Sequence, residues 1–180
     1  MKDFAIAPEA NELARFQREF RFHPSSTTSP AALQIEQIES FNRDGFLTKL
    51  PIFSPQEAAA HRAYFDELLA EEIARGGTSY TISTAHLKHG PVYDLLNHPR
   101  IVAYVRDLIG EDVIGWGSHF FCKMPGDGQD VAWHQDATYW PLSPTKTVTV
   151  WLAIDDSDRL NGCMRVISGS HIHGRLQHAI

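Results

Sequence analysis

The chain has 180 residues, 43% of them hydrophobic and 21% charged, which is the profile of one soluble globular domain rather than a disordered or fibrous segment. Its net charge of -6 argues against nucleic acid or an anionic membrane as partner, and no run approaches the roughly 18 apolar residues that span a bilayer. Two cysteines are too few for a disulfide framework, and residues 1–8 lack the apolar core of a signal peptide, so a cytoplasmic location is expected.

Residues 1–30 read as a peripheral segment. Leu13, Phe16 and Phe20 recur at helical spacing, but Ser25-Ser26-Thr27-Thr28-Ser29-Pro30 is a turn-rich linker. Residues 31–180 then form one domain. A helix is predicted over residues 31–43, with Leu33, Ile38 and Phe41 inward and Gly45 near its end; residues 46–50 follow as a short extended piece. The next helix start is well marked. Ser54-Pro55-Gln56-Glu57 offers an N-cap, a proline at the first helical position and a glutamate three residues after the cap. Tyr64, Phe65, Leu68, Leu69 and Ile73 continue at helical period until Gly76-Gly77. A further helix follows Pro99, with Ile101, Val102, Val105 and Leu108 on one side and Gly110 closing it.

From Val113 the pattern changes. Residues 113–123, 131–136, 147–154 and 163–167 are short, β-branched or aromatic, and separated by Gly, Pro or Asp. Helices first and strands later predict an α+β fold, with helices packed outside a β-sandwich or barrel.

Chemistry concentrates around Trp133-His134-Gln135-Asp136. The chain has 10 histidines, gathered mostly in its second half among aromatics and carboxylates. On a strand, side chains two apart share a face, so His134 and Asp136 are placed to offer a nitrogen and an oxygen to one ion. Two histidines and one carboxylate with open positions are the signature of non-haem Fe(II) oxygenases. A lone His-x-Asp also arises by chance as surface polarity.

The surroundings carry more. Gly117-Ser118-His119-Phe120-Phe121-Cys122-Lys123, Pro125-Gly126-Asp127-Gly128 and Trp133-His134-Gln135-Asp136-Ala137 come first, with Tyr139-Trp140-Pro141 after them. Val150-Trp151-Leu152-Ala153-Ile154-Asp155, Asn161-Gly162-Cys163-Met164-Arg165-Val166-Ile167 and Gly169-Ser170-His171 complete the series. Together with Glu36-Gln37-Ile38 and Asp44-Gly45-Phe46 upstream, their order and spacing resemble the phytanoyl-CoA dioxygenase family over residues 33–174. The resemblance implies a double-stranded β-helix (a cupin-like jelly roll). It also implies a dioxygenase with Fe(II), 2-oxoglutarate as cosubstrate and O2, acting on a small organic substrate. By position, His134 and Asp136 are similar to two iron ligands. Lys123, His119, Trp151 and Lys88 are similar to residues near the cosubstrate, and Tyr139 and Trp140 to a substrate wall. Each has a plainer reading: a solvent-facing lysine, a satisfied core histidine, barrel packing. Related halogenases carry a small residue at the carboxylate position, so Asp136 implies oxidation rather than halogenation.

The family's third ligand, a histidine, and an arginine that pairs with 2-oxoglutarate lie beyond the Gly-Ser-His segment and have no counterpart here. The resemblance therefore implies a chain truncated at its C-terminal side, with an incomplete barrel, weak iron binding and little or no turnover. His171, His173 and His178 are nearby, but His171 matches a turn position distinct from the ligand, and Ser168 replaces the usual proline before that turn. The alternatives to an oxygenase are a cupin-like metal-binding protein or degenerate remnant without oxygenase activity, and a purely structural interaction module. Substrate identity and oligomeric state are not read from the sequence.

Overall fold

A computed structural model describes residues 10–126, 128 and 130–177. Among them are helices α1 (Ala10–Leu13), α2 (Ile35–Asp44), α3 (Pro55–Ala74), α4 (Gly90–Leu96) and α5 (Pro99–Ile109). Short 3-10 turns occupy Ala85–Leu87, Asp136–Tyr139 and Ser170–His173.

Helix α3 begins as its sequence dictates. Glu57 N–H donates to Ser54 Oγ at 3.3 Å while Ser54 N–H donates to Glu57 Oε2 at 2.7 Å, a reciprocal cap with Pro55 in the first turn. Phe65, Leu68 and Leu69 are buried, and Gly76 adopts φ +85° just past the helix end. Ile73, expected inward, is instead 51% exposed, one turn beyond the packed part of the helix.

Helix α2 starts four residues later than predicted, and the reason is electrostatic. The backbone N–H groups of Ala31, Ala32 and Leu33 donate to the buried carboxylate of Asp107, each at 2.8 Å, instead of entering a helical first turn. The same tie draws in residues 25–28. Ser25 Oγ and Thr27 Oγ1 both donate to the Asp107 carbonyl at 2.8 Å. At its other end α2 closes on Gly45, which takes φ +86° and donates its N–H to Phe41 O at 2.8 Å. Helix α4, not anticipated, is short and buries Val92.

Two clusters make the core. Phe65, Leu68, Leu69, Ile82, Ala85 and Val92 form one, with Phe120 and Cys122 against it. Leu33, Ile38, Phe41 and Leu108 form the other, joined by Phe22, Leu47, Tyr104 and Val148. Among the described residues every buried apolar side chain lies between Leu13 and Leu108. Beyond them Phe121, Val131, Trp133, Val150, Trp151, Met164, Val166 and Ile167 are exposed. The chain presents 13036 Å² to solvent, against about 8,800 Å² for a compact monomer of 20.2 kDa by surface scaling.

The double-stranded β-helix is not formed among the described residues. Residues 113–123, 131–136, 147–154 and 163–167 build no ladder with one another. One isolated antiparallel bridge, Ser83 with His119, is present, flanked by Thr84 N–H to Ser118 O at 2.8 Å and Phe120 N–H to Ile82 O at 3.1 Å. A strand exists only where a neighbour completes its hydrogen bonds, and alternating sequence cannot supply that neighbour. The exposed apolar side chains of residues 121–167 contribute to the surplus area.

Candidate functional site

His134 and Asp136 converge. The predicted route was one face of a strand, but only the approach is extended: Gln135 has φ -120° and ψ 116°, and Asp136 opens the 3-10 turn Asp136–Tyr139. His134 Nε2 lies 3.1 Å from Asp136 Oδ1, and His134 Nδ1 lies 2.8 Å from the carbonyl oxygen of Ala132. A carbonyl only accepts, so Nδ1 carries the hydrogen, and in the neutral ring Nε2 presents its lone pair toward the carboxylate. The gap between Nε2 and Oδ1 therefore calls for a proton or a cation.

A cation fits it. Two adjacent donors at right angles about an ion, each bonded at about 2.1 Å, stand about 3.0 Å apart. Anchoring of the remote imidazole N–H by a backbone carbonyl is the usual support of a metal-ligating histidine. Neither side chain is sealed away, with 35% of His134 and 41% of Asp136 exposed. Among the described residues no group of three His, Cys, Asp or Glu side chains could hold a metal, so an ion placed here would have two side-chain donors from this pair.

Several residues that the sequence did not single out brace the pair. Thr149 Oγ1 donates to Asp136 Oδ2 at 2.7 Å. Gln135 reaches instead to the 174–176 backbone, donating to Gly174 O and accepting from Leu176 N–H, both at 2.8 Å. Arg18 Nη1 donates to the carbonyls of Thr138 at 3.0 Å and Trp140 at 2.8 Å, with Ala137 O at 3.4 Å. The guanidinium thus clamps the turn that carries Asp136. The Tyr139 ring meets His134 edge-on with centroids 6.0 Å apart, and Arg165 lies over the Trp133 ring at 5.1 Å.

The expected cosubstrate residues are less gathered. The His119 ring lies 4.4 Å from that of Phe121, and partial desolvation there lowers its pKa from the ordinary value. Lys123 is exposed, its amine beside Gly162, where an added Cβ would meet Nζ at 2.9 Å. Trp151 is exposed, and Lys88 is exposed at the end of the turn Ala85–Leu87. Among the described residues no hydrogen bond or ion pair links any of the four to His134 or Asp136.

His171 is engaged elsewhere. Its ring stands edge-on to Phe22 at 4.3 Å, Nε2 is 3.1 Å from Asn42 O, and it packs so closely over Gly45 that a Cβ there would collide with Nδ1. Gly169 N–H donates to Asp44 O at 2.9 Å, and Ser168 Oγ to Asp44 Oδ1 at 3.1 Å. The Asp44-Gly45 and Gly169-Ser170-His171 turns are therefore one structural unit. His173 is exposed; His178 and Asp127 lie outside the described residues.

A family model for phytanoyl-CoA dioxygenase (PhyH) matches residues 41–179. The chain is 30% identical over 151 residues to an ectoine dioxygenase of Nocardia farcinica, covering 76% of this chain and 50% of that protein. It is 25% identical over 161 residues to the peroxisomal phytanoyl-CoA dioxygenase of Rattus norvegicus, covering 77% and 48%. It is 26% identical over 196 aligned positions to phytanoyl-CoA dioxygenase domain-containing protein 1 of Mus musculus, covering 80% and 67%. The chain thus spans about half the length of the first two relatives. No solved structure matches it.

Proposed function

Since the chain belongs to the phytanoyl-CoA dioxygenase family, we propose that it serves an Fe(II)- and 2-oxoglutarate-dependent oxidation of a small organic molecule, with His134 and Asp136 as two of the iron ligands. The observation that carries this reading is the 3.1 Å approach of His134 Nε2 to Asp136 Oδ1, with the histidine's other nitrogen already committed to Ala132 O. When bound, Fe(II) with 2-oxoglutarate and O2 supplies the oxidising power; the chain supplies orientation. His134 and Asp136 hold the ion on one side, leaving positions for exogenous oxygen ligands. Tyr139, edge-on to His134, walls one flank of the pair. Lys123, unpaired with any acid among the described residues, suits the carboxylates of the cosubstrate. His119, Trp151 and Lys88 are assigned to the same cosubstrate surroundings on the family pattern.

Residues 113–167 are assigned to the family's double-stranded β-helix, on the support of their β-branched and aromatic patterning and their exposed apolar faces. Residues 31–180 form the catalytic domain in this reading, with 1–30 as its N-terminal segment. Two relatives are named for ectoine and for phytanoyl-CoA. A net charge of -6 with no lysine–arginine cluster favours a small metabolite over a substrate bearing the phosphates of coenzyme A.

The test is anaerobic calorimetry with Fe(II). The chain binds one ion, weakly with this pair as the only side-chain donors among the described residues, and His134→Ala and Asp136→Ala abolish binding. Succinate released from 2-oxoglutarate in air then measures turnover. Iron binding that survives both substitutions overturns the assignment. The two-donor count favours one second reading, a metal-binding protein without oxygenase activity. It is supported if iron binds at this pair and 2-oxoglutarate changes neither the affinity nor the absorption spectrum.

A further inference from the structure

Resting on the iron-site reading above, we propose that Thr149 is the positioning residue that holds Asp136 as a one-oxygen metal donor. Asp136 is 41% exposed on its side chain, so packing alone does not fix the rotation of its carboxylate. Hydrogen bonding does. Oδ1 faces His134 Nε2, and Oδ2 accepts the Thr149 hydroxyl at 2.7 Å, a short charge-assisted bond. A carboxylate so tied turns one oxygen toward the ion and keeps the other occupied. The position that a two-oxygen grip would take stays free for cosubstrate.

Thr149 is suited to the task by its own anchoring. It lies 13 residues beyond Asp136, and the neighbouring Val148 packs onto the cluster of Leu33, Ile38, Phe41 and Leu108. Thr149 is itself exposed, so its hydroxyl is tied to the helical core through the backbone it shares with Val148. Threonine adds stiffness, since branching at Cβ restricts its χ1. This one bond links Asp136, by way of Val148, to the cluster that α2 and α5 build.

Support of this kind is worth about 10–100-fold in metal affinity. Thr149→Val keeps the shape and deletes the hydroxyl; Thr149→Ser restores it. Each is titrated anaerobically with Fe(II) alone by calorimetry, and with Co(II) alone by visible absorption. Far-UV circular dichroism and the thermal midpoint report the fold. The valine variant binds both ions about 10–100-fold more weakly with an altered Co(II) spectrum, its fold signals unchanged, while the serine variant binds as the wild type. Wild-type affinity and spectrum in Thr149→Val overturn the proposal, as does a serine variant as weak as valine. His134→Ala separates the two levels. If it abolishes binding while Thr149→Val does not weaken it, only the role of Thr149 falls. If His134→Ala binds as the wild type, the iron site falls and the role of Thr149 with it.

Discussion

Removing the Asp107 carboxylate should cost more stability than any other single polar change in the helical half. Its oxygens accept from three consecutive N–H groups, Ala31, Ala32 and Leu33, at 2.8 Å each, and the residue is 6% exposed. In Asp107→Ala the Leu33 N–H is stranded in the core at about 1–3 kcal/mol. The exposed Ala31 and Ala32 groups can rehydrate, so each loses about 0.5–1.5 kcal/mol net. The total is about 2–6 kcal/mol, a large share of the 5–15 kcal/mol typical of a domain. Urea unfolding followed by circular dichroism at pH 7 measures it. The pH dependence has a definite sign. Burial works to raise the Asp107 pKa, but hydrogen bonds from Ala31, Leu33 and Ala32 outweigh it and leave it below 3.8. A carboxyl depressed in the folded state stabilises fully above its unfolded value and loses that contribution as pH falls through the folded one. The gap between wild type and Asp107→Ala should therefore be constant from pH 7 down to about pH 5 and begin to close near the ordinary 3.8. A gap under 0.5 kcal/mol at pH 7, or one that widens in acid, would refute the reasoning.

Two other outcomes follow. Arg18→Ala removes the clamp on the carbonyls of Thr138 and Trp140, so amide exchange across residues 136–142 should quicken by about 10–100-fold while α3 is unchanged. Unchanged protection there would show that the turn holds itself. The 13036 Å² surface and the exposed Phe121, Trp133, Val150 and Met164 predict enhanced fluorescence of an apolar dye and concentration-dependent association at low denaturant. A chain that is monomeric and dark with dye would argue against an unpaired β face.

The helices were legible because their signals are local. Ser54-Pro55-Gln56-Glu57 contains every atom of the α3 cap, and Gly45, Gly76 and Gly110 supply the positive φ that helix ends need. The start of α2 was misplaced because its competitor, Asp107, lies about 75 residues away. A clue existed: an acid in the last turn of α5 is unfavourable to the helix dipole, so it needed a partner elsewhere. The strands failed for a related reason. Alternation specifies which faces a segment would bury, whereas a ladder needs a second segment in register, and among the described residues the pairing stops at the single Ser83–His119 bridge.

The proximity of His134 and Asp136 was legible for the same local reason, although the expected strand is a 3-10 turn at Asp136. Two positions of separation brought His134 and Asp136 together with Asp136 already in a 3-10 turn, because the short linkage limits how far they can part. What fixes them was not legible. Thr149, Gln135 and Arg18 act across separations of 13, 39 and 120 residues, and no single-sequence pattern marks one threonine hydroxyl or one guanidinium among 16 basic residues as a brace. Their placement has a consequence for reading variants. In the proposed reading His134 and Asp136 decide whether an ion binds, whereas the three braces couple their geometry to the segment beside Val148, to the 174–176 segment and to the N-terminal stretch. Substitutions in those distant parts should therefore register first in metal affinity and ligand-field spectra, before any loss of helix content, which is the order opposite to that of general unfolding.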